Sequence, residues 1–388
     1  MSVHENWLDK YFKGDRTIWM VVFVLSIFSL LAVYSSTGTL AYKRQHGTEY
    51  FLFKHLLILG TGIGLMYAAH RIRYTVYSKI STLAIFLTVP LLLLTLILGT
   101  NLNEASRWLT LPVINMTFQT SDLAKLSLVM YVARILSKRQ EEDMTFRSIF
   151  FPLLVPVMLV CGLILPANFS TAAVLFISCL FLMLIGRVKI KHLMYMMGIG
   201  LAGLGLYILV AIALGNPQRI HTWQARIERF SHPESEDNYQ TDQAKIAIAK
   251  GGIVGRFPGN STQRNFLPHP YSDFIYAIII EEYGMIGGAL ILFLYLLLFY
   301  RVVRFIHHSP MAFGTLLSVG CVFILTFQAM INMAVAVGLF PVTGQPLPLV
   351  SMGGSSIWFT SIGIGIILSV SRQVEKEKKE GGDELATA

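Results

Sequence analysis

The stretch NFLPHPYSDFIYAIIIEEYGMIGGALILFLYLLLFY (Asn265–Tyr300) decides the fold. Beyond its prolines it is apolar for longer than the roughly 20 residues that cross a bilayer. Yet it opens on Asp273 and carries Glu281 and Glu282 inside the apolar run. A carboxylate in hydrocarbon costs roughly 2.5–3.5 kcal/mol on insertion scales, so such groups turn toward a bundle interior or a wet cavity. The stretch therefore reads as a spanning helix with its acids facing protein. The glutamates lie about 12–13 Å deeper than Asp273 at 1.5 Å per residue. They point about 100° apart, too far to face one cavity squarely, so pairing inside the bundle is their expected role. Asp273 stands at the mouth of the span. There an acid serves either as a helix cap or as a working group.

The rest of the chain agrees with a membrane reading. Of 388 residues 54% are hydrophobic and only 14% charged, against roughly 25% charged in soluble domains. Ten apolar segments are expected to span: 17–37, 52–70, 80–99, 119–136, 149–165, 170–186, 193–214, 273–300, 311–337 and 351–371. This makes an all-α integral membrane protein with a polar N-terminal tail, 1–16, a membrane domain, 17–371, and a charged C-terminal tail, 372–388. The first apolar run lacks a convincing cleavage site and reads as an uncleaved span. One connection is long, the loop 215–272. With the N-terminus placed inside, the inner segments carry 18 Lys and Arg and the short outer loops only Lys43, Arg44 and Arg107. Both termini are therefore expected in the cytoplasm, and the long loop and Asp273 on the outer side. The net charge of +9 follows from this asymmetry; nothing in it calls for nucleic acid. Cys161, Cys179 and Cys321 sit in apolar spans with no CxxC spacing, as small buried residues do.

Five further patterns stand out. In the long loop, Trp223, Ile227 and Phe230 recur at helical spacing with Arg226 and Arg229 off that stripe, which suits an interfacial helix. YQTDQAKIAIAKGG reads as a second helix closed by Gly251–Gly252. Asp122 and Lys125 share a helix face in the fourth span. Before the last span, GLFPVTGQPLPLVSMGGSS (338–356) reads either as a plain connection or as a rigid re-entrant loop. In the second case amides and hydroxyls at Ser351, Gly353, Gly354 and Ser355 would meet an anionic headgroup. GIGLAG at 198–203 has the form of a dinucleotide fingerprint, but no strand precedes it, and small residues inside a span serve helix packing. No nucleotide is expected.

Taken in order, these segments resemble a known family. NEASRWLTL, QTSDLAKLSLVMYVA, YQTDQAKIAIAKGG, GNSTQRNFLPHPYSDFIYAIIIEEYG and NMAVAVGLFPVTGQPLPLVSMGGSS, after an opening DRTIWMVVFVLSIFSLLAVYSS, are similar to the SEDS proteins (FtsW/RodA/SpoVE), which polymerise peptidoglycan. The likeness covers about residues 15–371, and GNS at 259–261 is closer to the FtsW, or division, type. Three positions depart from the family pattern. Tyr271–Ser272 replaces a histidine–threonine pair, Asn168 stands where an acid is usual, and Phe257 interrupts the glycines before GNS.

The resemblance implies an inverting glycosyltransferase at the outer face of the bacterial cytoplasmic membrane. Its donor would be a glycan on undecaprenyl pyrophosphate, and its acceptor lipid II. Asp273 would take the proton of the attacking sugar hydroxyl. Arg107, Lys125 and the loop arginines would balance the leaving pyrophosphate, with Mg²⁺ or Mn²⁺ bridging carboxylate and phosphate. Asp122, Gln243, Asn260, Ser261 and Ser272 complete the implied substrate-binding set, and a direct Lys125–Asp273 ion pair is expected at rest. The implied partners are a class B penicillin-binding protein and other divisome proteins. A RodA-like elongation polymerase, a lipid II flippase and a silent scaffold for the transpeptidase stand as alternatives.

Overall fold

The computed structural model describes residues 12–387, except 39, 41, 43, 44, 46, 103, 104, 112–115, 139–149, 216, 217, 232–237, 308 and 310. Each of the ten apolar segments forms a helix. These are α1 Arg16–Ser36, α2 Thr48–Arg71, α3 Tyr74–Leu98, α4 Thr120–Lys138, α5 Phe151–Ile164, α6 Phe169–Ile185, α7 Ile190–Ala213, α10 Ile275–Ile306, α11 Ala312–Ala336 and α12 Gly354–Thr387. Seven of them are long and apolar enough to cross a membrane; α5 and α6 are shorter, and α4 is the more polar exception. The long loop contributes α8 Gln218–Ser231 and α9 Tyr239–Gly251, the latter ending at Gly252 in the left-handed region (φ +53°) as its glycines predict.

Two features add to the expectation. The chain is not purely helical: β1 Thr100–Leu102, β2 Ala105–Leu111 and β3 Met116–Gln119 form an antiparallel sheet in the order β1-β2-β3, with Trp108 opposite Gln119. Strands of three to seven residues fall below the length of a spanning window, so hydropathy passes over them. α12 also continues from the last span through Thr387, so the segment expected as the C-terminal tail is helical as far as that residue.

Polar contacts fix how the helices sit. At one end of the bundle Asp15 caps α1, accepting from the Thr17 amide at 2.8 Å, and pairs with Arg301 of α10 at 2.6 Å. The Asp15 amide donates to Ser371 of α12 at 2.9 Å, so the start of α1 meets α12 there. Along the α3–α4 seam Thr95 meets Thr120 (3.0 Å), Thr88 meets Ser127 (3.1 Å) and Ser81 meets Arg134 (3.5 Å). The steps are one heptad on both helices, which sets the register of an antiparallel pair. By contrast α7 is an outlying helix in which only Met196 is buried. Of the glycines in GIGLAG only Gly200 meets a neighbour, Phe176.

The acid-bearing helix is broken. Gly284 sits at φ +70°, ψ −173°, and α10 kinks there. Only glycine enters that region of backbone space readily. A break at this depth strands amides and carbonyls that hydrocarbon cannot satisfy. The long loop supplies the partners. The Met285 and Ile286 amides donate to Gly252 O (2.9 Å) and Ile253 O (3.3 Å), and the Arg256 amide donates to Glu281 O (3.0 Å). The approach is so close that a Cβ on Gly284 would stand 2.1 Å from Ile253 O. Replacing Gly284 with alanine should therefore cost at least the roughly 1–3 kcal/mol of a forced backbone conformation. We expect a lower melting temperature in detergent and faster proteolysis between 252 and 265; an unchanged melt would refute the plug.

Candidate functional site

The acid is placed by a turn that cannot be helix. Pro268 and Pro270 hold back helix formation, His269 adopts φ +54°, and α10 begins only at Ile275 with Phe274 as its cap residue. Asp273 is therefore not the cap. It is half-buried, and the Ser272 hydroxyl donates to its Oδ1 at 2.9 Å.

The segment 345–352 fastens this turn. Ser351 Oγ donates to Ser272 O (2.6 Å) and the Met352 amide to Tyr271 O (2.9 Å). Asn332 of α11 donates through Nδ2 to both Asp273 O (2.9 Å) and Gln345 O (2.8 Å). The segment is itself held by side chains of the bundle. Tyr295 OH donates to Pro348 O (2.5 Å), Ser29 to Val350 O (2.9 Å) and Gln328 Nε2 to Pro346 O (3.0 Å). It is a re-entrant loop whose carbonyls are taken up by hydroxyls and amides.

A second charged group lies beside it. Asp122 in the first turn of α4 is buried and pairs with Lys125 at 2.7 Å. Lys125 also donates to Gln328 Oε1 at 3.0 Å. Asp122, Lys125, Gln328, Pro348, Ser356 and Thr360 line a cavity of about 60 Å³. The expected Lys125–Asp273 ion pair is thus replaced by a pair within α4. The i,i+3 spacing brings Asp122 to the ammonium without ordering any other element.

Two larger chambers flank α8. One, about 580 Å³, is lined by Arg226, Arg229, Lys245, Tyr239 and Thr241 and carries a cationic wall. The other, about 510 Å³, is lined mainly by apolar side chains, among them Val174, Ile177, Ile227, Phe327 and Met330. Arg226 and Thr222 belong to both. Trp223 anchors α8 by packing on Phe169 (5.0 Å) and Tyr207 (5.8 Å), whereas Ile227 is 60% exposed. Burial lowers the pKa of Arg226, while the Asp273 carboxylate favours its charged form and Arg219 and Arg229 oppose it. Arg226 is therefore one cation that feels the Asp273 carboxylate.

The other expected residues divide. Ser272 and Ser351 are in the acid-bearing turn and its fastening. Ser355 accepts from the Gln119 amide of β3 at 2.9 Å, and Gly353 and Gly354 are half-buried at the start of α12. Gln243 is half-buried on α9. Asn260 is exposed and donates to Arg256 O at 3.0 Å. Ser261 is buried and its hydroxyl is committed to Glu281 at 2.5 Å. Arg107 lies in β2, and its side chain is outside the described part of the structure. Asn168 caps α6, accepting from the Thr171 amide at 3.3 Å, a use for which an amide suffices.

Glu281 and Glu282 receive the inserted loop. Glu281 accepts from Ser261 Oγ, from the Thr262 amide and hydroxyl (3.0 Å each) and from the Gln263 amide (3.2 Å). Glu282 accepts from Ser35 of α1 and from the Ser261 amide at 3.4 Å, and Arg264 donates to Ser35 O at 3.1 Å. Sequence reasoning missed Gln328, Asn332 and Tyr295. Their signal was present as lone polar side chains in apolar helices, the two amides one turn apart.

The FtsW/RodA/SpoVE family model, described as "cell cycle protein", matches residues 15–376. The chain belongs to this family. It is 31% identical over 362 residues to stage V sporulation protein E of Bacillus subtilis, covering 92% of this chain and 97% of that protein. It is 33% identical over 365 residues to a probable peptidoglycan glycosyltransferase FtsW of Geobacter sp. strain M18, covering 93% and 97%. The fold matches a chain from a structure described as "Structural coordination of polymerization and crosslinking by a peptidoglycan synthase complex" (TM-score 0.70, 24% identity, 93% and 98% covered). It also matches the rod shape determining protein RodA of Thermus thermophilus (TM-score 0.67, 24% identity, 95% and 98% covered).

Glu281 takes four kinds of donor, so Glu281→Ala leaves several buried groups unpaired at roughly 1–3 kcal/mol each. We expect that variant to lose the order of 256–265 before the bundle melts, seen as early deuterium uptake there. Uniform exchange across the loop and the bundle would rule out this holding role.

Proposed function

We infer that the chain is a peptidoglycan glycosyltransferase of the FtsW/RodA type, working on lipid-linked sugars at the outer face of the bacterial cytoplasmic membrane. The observation that carries this reading is Arg226. It answers to the Asp273 carboxylate and lines both the cationic and the apolar chamber. A substrate with a pyrophosphate between sugar and isoprenoid has those two demands, a charged one and an apolar one, side by side.

The chemistry follows from the acceptor. The 4-hydroxyl of the lipid II GlcNAc attacks C1 of the donor's terminal MurNAc, the new C–O bond forms with inversion, and the bond to pyrophosphate breaks. Asp273 takes the hydroxyl proton as the attack proceeds. Ser272 orients its carboxylate, and the positive charge of Arg226 favours the carboxylate form. Arg226, Arg229 and Lys245 balance the charge of the leaving undecaprenyl pyrophosphate. Among the described residues no three His, Cys, Asp or Glu side chains cluster. Mg²⁺ is commonly held by one or two carboxylates plus substrate phosphates, so Asp273 with pyrophosphate fits it, and the ion would supply further positive charge there. A transport reading finds less support. The hydroxyls of the α3–α4 seam are buried, and Thr88 and Thr95 donate to carbonyls of their own helix. The GNS triplet and the FtsW-named relatives favour a division role. A class B penicillin-binding protein and other divisome proteins are the partners that role requires.

Two outcomes are expected from purified protein incubated with lipid II and Mg²⁺, with glycans resolved on a gel. Asp273→Asn abolishes polymer while the protein still elutes and melts like wild type; full-length polymer from that variant would refute the base. Arg226→Gln with Arg229→Gln raises the lipid II concentration for half-maximal rate more than it lowers the maximal rate, by about tenfold for one lost charge-assisted contact. A fall in maximal rate alone would mean that the arginines act on chemistry and not on capture.

A further inference from the structure

Lys125 and Asp273 do not touch, yet one loop touches both of their supports. Gln328 and Asn332 stand one turn apart on α11, and both are buried. Gln328 takes the Lys125 ammonium on Oε1 (3.0 Å) and donates from Nε2 to Pro346 O (3.0 Å). Asn332 donates to Gln345 O (2.8 Å) and to Asp273 O (2.9 Å). Two adjacent carbonyls of the re-entrant loop are thus bound by two amides on a single helix face. One amide continues to the α4 ion pair and the other to the backbone of the acid.

We propose that Gln328 and Asn332 are positioning residues for glycosyl transfer, a two-point splint that sets the separation between the Asp122–Lys125 pair and Asp273. The inference rests on the reading of Asp273 as the base. Its physical ground is that the acid lies in an irregular turn, outside any helix, where nothing regular fixes its backbone. Hydroxyls from Ser29 and Tyr295 hold the deeper part of the loop. Asn332, Ser351 and the Met352 amide tie it to the acid-bearing turn, and Gln328 ties it to the α4 ion pair. An amide is suited to the task because one side chain offers two donors or a donor and an acceptor. Asn332 spends both N–H groups on two carbonyls, and Gln328 uses one of each kind. A transfer site is sensitive to this, since a misplacement of about 1 Å costs on the order of 100-fold in rate.

The test uses full-length protein in detergent with lipid II, reading rate per folded molecule and glycan strand length. Asn332→Leu keeps the volume and removes both donors. Gln328→Glu keeps the acceptor for Lys125 and removes the donor to Pro346. The rate is expected to fall by about tenfold or more in the first and less in the second, with the half-saturating lipid II concentration within about twofold of wild type. Strands shorten in both, because each active molecule transfers more slowly before release. In Asn332→Leu/Gln328→Glu the losses should be smaller than the product of the single effects, since both amides hold the same loop. Normal strand length, with rate falling only in proportion to folded protein, would overturn the proposal, for it would show a purely structural role. Should Asn332→Leu fail to fold, Gln328→Glu decides by the same two readouts. Wild-type polymer from Asp273→Asn would instead remove the base assignment on which the proposal stands.

Discussion

Irregular backbone inside a membrane bundle must find every hydrogen-bond partner within the protein, and this protein is organised around that demand. Two such places among the described residues are the break in α10 at Gly284 and the re-entrant loop 345–352. The first is closed by backbone groups of residues 252–256, the second by side chains from α1, α10 and α11. The second fastens the acid-bearing turn directly, and the first anchors the loop that leads into it. Irregular backbone is also what lets a carboxylate stand at the mouth of a span without being absorbed as a helix cap.

The charges follow the same logic. A buried charge without a partner is expensive, whereas a neutral pair with its remaining groups bonded is tolerable. Asp122 and Lys125 neutralise one another within one helix, and Glu281 is surrounded by donors from residues 261–263. Lys125 is thereby committed to Asp122 and Gln328 and not to Asp273. Arg226 is different. It comes from the loop, is partly desolvated, and stands between a polar and an apolar chamber. A cation held that way gains most when an anion arrives, as a pyrophosphate-linked lipid would supply.

Where the expectation and the structure part, the cause is local. The sheet over 100–119 was missed because short strands leave no trace in a spanning window. Lys125 was assigned to Asp273 because both lie toward the same end of their spans. Depth alone does not choose between partners, and Asp122 was three residues away. Ser261, which the motif suggested for substrate, is used by Glu281. A serine next to an exposed asparagine looks available in a sequence, and only the folded loop shows which of the two turns inward.

The sequence by itself determined the class of the protein. Long apolar runs, sparse charge and the placement of Lys and Arg require a multi-pass helical protein. The spacing around Asp273, with GNS before it and the GGSS segment far after it, carried the family. Such features are legible because they depend on hydropathy and on residues near one another in the chain. The tertiary structure decided which polar groups meet: the loop inserted at Gly284, the Asp122–Lys125 pair, and the amides of α11 that join that pair and the acid-bearing turn to one loop. Those contacts join segments up to hundreds of residues apart. They are set by helix packing and by the need to satisfy every buried donor and acceptor, and neither has a local signature in the sequence.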